Sequence, residues 1–225
     1  MLKKISASTN RLSTDQLILT GLLALSFIPA AGGIFRLSQL TVGGEITPEN
    51  ARFFASPIPI VLHLISIVIY SILGAFQFAP GFRRRRRGWH RSAGRILIPS
   101  GLVAALTGLW MSHFYDLPSY DGELLYWIRM VVGWAMFLFI ILGVIAIRQR
   151  KYAQHGAWMM RAYALGVGAG TQTLTIMPWY FLFGMPSVFP RAILMGAAWL
   201  INLAVAEWVI YKRQSRRVAI ALSTR

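Results

Sequence analysis

Four histidines are the residues of this chain best suited to chemistry: His63, His90, His113 and His155. A neutral imidazole offers one nitrogen lone pair, which suits haem iron, other metals and proton exchange near neutral pH. Two of the four sit in similar local patterns. Residues 89–95 read Trp-His-Arg-Ser-Ala-Gly-Arg, and residues 155–161 read His-Gly-Ala-Trp-Met-Met-Arg. Each places a His at an expected helix start and an Arg about one and a half turns later. Free N–H groups and a partial positive charge at those helix ends, with Arg91, Arg95 and Arg161, would attract an anion. Haem propionates, a phospholipid phosphate or a quinone oxygen all have that chemistry. The same arginines would equally fix helix depth against lipid headgroups.

His90 and His155 are therefore candidate axial ligands of a b-type haem, with Arg91, Arg95 and Arg161 toward its propionates. His63 lies between Val61, Leu62, Leu64 and Ile65. A polar group inside such a run is expensive in a membrane and marks function. His63 is a further cofactor candidate, and His63 with His113 would be the less usual pairing for a second metal.

The elements that must position these residues are membrane helices. The chain has 225 residues, 56% of them hydrophobic and 13% charged. Crossing the hydrocarbon core takes roughly 20 apolar residues. Six runs qualify, at about 16–38, 57–79, 93–113, 123–147, 157–182 and 190–211. Their continuity indicates helices rather than barrel strands. The expected architecture is all-α: one transmembrane domain over residues 1–225, a six-helix bundle. The basic start (Lys3, Lys4, Arg11) precedes a run too long for a signal peptide and without a clear cleavage site, so the first run is read as a retained helix. Zero Cys excludes disulfides, thiolate metal sites and iron–sulfur clusters.

The net charge of +16 orients the bundle. Lys3, Lys4 and Arg11, then Arg83 to Arg87 with Arg91 and Arg95, then Arg148, Arg150 and Lys151, then Lys212, Arg213, Arg216, Arg217 and Arg225 fall at one end. Glu45, Glu49, Asp116, Asp121 and Glu123 fall at the other. The positive-inside rule then places both termini in the cytoplasm and the protein in the inner (plasma) membrane. The Arg83–Arg87 pentad reads as retention signal and anionic-lipid contact, or as a dock for an acidic partner. Nucleic acid is set aside, because no aromatic stacking surface accompanies the charge.

With these motifs the chain resembles an uncharacterised family of predicted bacterial membrane proteins, a domain of unknown function. That family has a His early in one span, a Gln-Phe near its end, His-Arg-x-x-Gly-Arg opening the next span, and a later His-x-x-Trp-Met-x-Arg. Here these are His63, Gln77-Phe78, His90 to Arg95, and His155 to Arg161. The likeness covers about residues 57–175, and His113 stands outside it. Where similar sequences place a further Arg about twelve residues after Arg161, this chain has Thr173, which weakens an anion role deeper in that helix. A looser likeness, of architecture only, is to six-helix dihaem b-type cytochromes and ferric reductases. It implies His ligands on facing helices, yet the fourth run here has no His.

Other polar residues lie within the runs. Arg161 and Glu207 are expected to form a buried pair, because either charge alone is costly in lipid, with a proton relay at Glu207 as the alternative. Gly166, Gly168, Gly170, Thr171, Gln172, Thr173 and Thr175 suit close helix packing, or a lined cavity for a quinone head or substrate. Pro29 and Pro178 are expected to kink their helices. No phosphate loop, nucleophile elbow or zinc-protease motif appears. Three functions follow in order: a haem-binding electron-transfer protein with a quinone as candidate partner; a non-catalytic subunit or assembly factor of a larger membrane complex; and a small-molecule transporter.

Overall fold

A backbone in hydrocarbon must satisfy its own N–H and C=O groups, so each apolar run closes into a helix. The computed structural model describes residues 14–79 and 86–223. Among them the regular elements are all helical: α1 Thr14–Val42, α2 Ala51–Ala55, α3 Pro57–Phe78, α4 Arg87–Phe114, α5 Glu123–Arg148, α6 Tyr152–Gly166, α7 Gly168–Phe183 and α8 Val188–Ser223. Among the described residues five helices have the length and apolarity to cross a membrane, over Gln16–Val42, Pro57–Phe78, Gly88–Phe114, Glu123–Arg148 and Val188–Arg216.

Two expectations need correction. The fifth run is not one helix over 157–182: it begins at Tyr152 and breaks at Val167 into α6 and α7. Hydropathy is blind to this, because Gly166-Val167-Gly168 is as apolar as its surroundings while its glycines lower helix propensity. The other concerns helix starts. Helices α4 and α6 begin five to six residues before the apolar runs at 93 and 157, so the helix starts that His90 and His155 mark lie outside those runs. Apolarity marks the lipid crossing, whereas hydrogen bonding carries a helix beyond it. The chain stays helical through Pro29, Pro99 and Pro178.

Helices α3, α4, α5 and α6 pack as a ring in that order, so α4 and α6 occupy opposite corners. Tyr70, Leu97, Met136, Ile140, Tyr163 and Leu165 fill its interior. Helix α8 lies against α5, α6 and α7, and α1 against α3 and α7. Only 11% of the apolar window of α1 is buried by protein, leaving most of that helix to lipid.

One end of the bundle, here the upper pole, carries residues 43–56 and 115–122. The lower pole carries the starts of α4 and α6. Lys3, Lys4, Arg11, Arg83 to Arg85 and Arg225 lie outside the described residues; Arg86 is exposed ahead of α4. The charge segregation is less clean than the loops suggest. Arg36, Arg52, Arg129 and Arg191 all gather at the upper pole. All four sit in helices, and three, Arg36, Arg129 and Arg191, lie inside the expected apolar runs, where a count of loop charges passes over them.

Candidate functional site

Small residues on facing helices leave the upper half of the bundle hollow. A cavity of about 380 Å³ runs down from Arg52, Phe53, Tyr115, Asp121 and Arg129 to His63, Gly166 and Gln172. Its walls span Ile60 to Ile67 on α3 and Arg129 to Met136 on α5, each a rise of about 10 Å. Ala104, Ala105, Gly108 and Gly133 supply the missing bulk. A second space of about 150 Å³ lies beneath α1, and His63, Ile67, Gly166 and Ala169 line both.

His63 sits about 9 Å below the start of α3. Its Nδ1 lies 3.0 Å from the Ala104 carbonyl oxygen and 3.2 Å from Thr107 Oγ1. The Thr107 hydroxyl donates to Val103 O, 2.6 Å away. A carbonyl can only accept, so the Nδ1 hydrogen points at α4 and Nε2 carries the lone pair. No protein group among the described residues bonds that Nε2.

Gln172 belongs to the first turns of α7, directly after the break. Three glycines permit close approach there: Gly166 faces the Tyr70 ring of α3, Gly168 the Trp199 indole of α8, and Gly170 the Leu25 carbonyl of α1. The break leaves carbonyls of the last α6 turn without helical partners, and Asn202 Nδ2 donates to one of them, Ala164 O, at 3.0 Å. Thr171 Oγ1 donates to Asn202 Oδ1 at 2.8 Å. Gln172 is different. It is 9% exposed, lines the cavity, and its Nε2 has no hydrogen-bond partner. The cavity floor thus offers an N–H donor from Gln172 and a lone pair from His63.

At the upper rim Asp121, with 5% of its side chain exposed, accepts from Arg129 Nη2 at 2.8 Å and Arg191 Nε at 2.7 Å. Burial alone would raise its carboxyl pKa; the Arg129 charge and the bonds from both arginines outweigh that and hold it below the ordinary value. Arg52 Nη1 donates to Asp116 O at 3.1 Å, and Tyr115 OH to Ser56 O at 2.6 Å. These bonds fix the 115–122 loop over the rim.

The lower-pole histidines line neither cavity. Gln77 Nε2 donates to His90 O, so Gln77 Oε1 accepts the His90 Nδ1 hydrogen. His155 Nδ1 donates to Gly143 O at 2.9 Å. Gly101 of α4 and Gly166 of α6 both face Tyr70, and His90 and His155 each lie eleven residues before those glycines. By the helical rise both are about 17 Å below that level. Arg91 and Arg95 are exposed. Arg161 forms a double bond pattern with Glu207, Nη2 to Oε2 being 2.8 Å, and stacks on Trp158 at 4.6 Å. The expected pair forms, but it is not buried: Glu207 keeps 51% of its side chain exposed, so the pair lies on the bundle's outer surface. His113 bonds Tyr126 OH at 3.0 Å and does not meet His63. Among the described residues no group of three or more His, Cys, Asp or Glu could hold a metal ion.

The sequence marks His63 but does not place Gln172 in the same cavity. Gln172 was one polar residue in a Gly/Thr-rich stretch, and the break that turns it inward has no hydropathy signature. The rim arginines were legible as charges, not as a cluster.

No curated protein and no solved structure matches the chain. A family model described as "Predicted membrane protein (DUF2306)" matches residues 60–210, which takes in His63, Gln172 and the motifs of α4 and α6. The chain is an integral membrane protein belonging to that family.

Proposed function

We propose that this protein binds a small, largely apolar molecule in the upper cavity, with an oxygen-bearing end at His63 and Gln172. One observation carries the reading. The Gln172 amide is enclosed in the bundle with an unused donor, at a loss of about 1–3 kcal/mol that a bound acceptor would recover. The apolar walls above it match the usual make-up of a ligand site, with few polar groups at set points. Gln172 Nε2 would donate to a ligand oxygen. His63 Nε2 would accept a ligand hydroxyl hydrogen, or take a proton from it. A quinol head is one molecule with both features.

Solvent extraction of the purified protein followed by mass spectrometry tests this. One molecular class should accompany the wild type near one per chain and be lost from a folded His63→Leu/Gln172→Leu variant. Equal content in both would remove the reading.

The haem reading rests on a second observation. His90 and His155 each commit the Nδ1 hydrogen to an oxygen, which is the tautomer of a metal-bound imidazole with its orienting partner. As a donor set, two such imidazoles could hold a haem iron, and a haem held there would supply one-electron transfer. Arg91 and Arg95 would hold its propionates, while Arg161 is engaged by Glu207. A reduced-minus-oxidised absorption spectrum of protein from haem-replete cells decides it: a b-type band lost in His90→Ala or His155→Ala supports it, and a flat spectrum from folded protein ends it.

A further inference from the structure

Arg36, Arg52 and Phe53 form an arrangement that the cavity floor does not explain. The guanidinium carbons of Arg36 and Arg52 stand 4.9 and 4.6 Å from the centroid of the same Phe53 ring. Two like charges held at one ring repel, and the attraction of the ring face offsets only part of that. Neither guanidinium is in an ion pair among the described residues. Arg36 Nη1 donates to Gln39 Oε1 at 2.7 Å and Arg52 Nη1 to Asp116 O at 3.1 Å. Each guanidinium has five N–H donors, so most are left over. Asp121 is already shared by Arg129 and Arg191.

The electrostatics agree. Burial lowers the Arg52 pKa, and Arg129 and Arg36 push the same way against Tyr120 and Asp121. The guanidinium stays charged nonetheless. Arg52, Phe53 and Arg129 line the upper end of the cavity, above Ile60, Met111, Val132 and Met195. A rim with surplus positive charge therefore stands over an apolar shaft.

We infer that the occupant of the cavity is an anionic amphiphile. Its carboxylate or phosphate end sits at Arg52, with Arg36 and Arg129 beside it, and its chain fills the shaft toward His63. Planar guanidinium forks suit either oxyanion by paired N–H bonds. The inference rests on the cavity being a ligand site; it adds the charge of the ligand's outer end.

Equilibrium binding of labelled decanoate, decyl phosphate and decanol to the full chain in phosphatidylcholine nanodiscs at neutral pH tests it. At least one of the two anions should bind tenfold or more tighter than decanol, and added salt should narrow that margin. Preference for decyl phosphate points to a lipid-type headgroup, preference for decanoate to a free acid; both support the inference. In Arg36→Gln/Arg52→Gln, anion binding should fall to the decanol level, while Arg36→Lys/Arg52→Lys should retain the margin, which separates charge from folding. Decanol or a neutral short-chain quinone binding as tightly as both anions overturns the inference. The cavity reading then survives if His63→Leu/Gln172→Leu abolishes that neutral binding. Failure of every probe to bind wild-type protein overturns both.

Discussion

Replacing Gln172 with Leu should make the protein more stable, against the usual direction for a buried substitution. The amide nitrogen is buried without a partner, a deficit of about 1–3 kcal/mol. Leucine has similar bulk and leaves no donor unmet against the neighbouring Met195 and Trp199 of the cavity wall. A net gain of about 1–2 kcal/mol is expected, once some strain from the branched side chain is allowed for. For a chain of this size that is roughly 2–8 °C in melting temperature. Tryptophan fluorescence of ligand-stripped protein in detergent would follow it.

The neighbouring position supplies the contrast. Thr171 Oγ1 does have a partner, Asn202 Oδ1, so Thr171→Val should lower stability by about 0.5–1.5 kcal/mol. Adjacent polar residues on one helix turn should thus respond with opposite signs. A Gln172→Leu protein less stable than wild type by 1 kcal/mol or more would refute the reasoning. The amide would then be making a bond the fold needs, and the argument for a ligand acceptor at that point would fall with it.

Asp121→Asn leaves Arg129 and Arg191 without their shared carboxylate and should cost about 2–4 kcal/mol, between the values for exposed and fully buried pairs. Because the folded-state pKa of Asp121 is lowered, this stability is present above the unfolded value and is lost as pH falls through the folded one. Melting curves of the wild type should drop on acidification below about pH 4 more steeply than those of Asp121→Asn. Glu207→Leu should be worse than Arg161→Leu/Glu207→Leu, since the single change strands a cation at the bundle surface; a double-mutant cycle in lipid measures the difference, and additive losses would contradict the pair. Arg150, two residues past the end of α5, has φ at +60°, and Arg150→Gly should raise stability by about 0.5–1 kcal/mol in the same melting assay.

The spans were legible because the bilayer imposes a length that apolar runs must meet, and α3 and α5 fall within a residue of their expected bounds. The Arg161–Glu207 pair was legible because two opposite charges on neighbouring antiparallel helices have little else to bond. What the sequence concealed is lateral. Hydropathy reads depth along the membrane normal, and it cannot say which flank of an apolar helix faces lipid and which a neighbour. Gln172 and Thr171 therefore looked alike, although one is satisfied and the other is not. Helix ends were misjudged for a related reason: polar Trp-His-Arg-Ser and Tyr-Ala-Gln-His segments extend α4 and α6 past the apolar boundary.

The same lateral geometry makes Ala169 the sharpest test of whether the hollow serves a ligand or merely reflects loose packing. Ala169 is the residue of α7 that lines both cavities, two residues after the break at Val167. Leucine there would project three further carbons into open space rather than into a neighbour. A packing defect, once filled, improves stability and changes nothing else; the added apolar burial is worth about 1–2 kcal/mol. A binding site, once filled, loses its ligand at the same time. Ala169→Leu should therefore melt at or above the wild-type temperature when both are stripped. It should also carry none of the molecule extracted from wild-type protein. Full retention of that molecule in the filled protein would show that its place is elsewhere in the bundle, and the roles given to His63 and Gln172 would go with it.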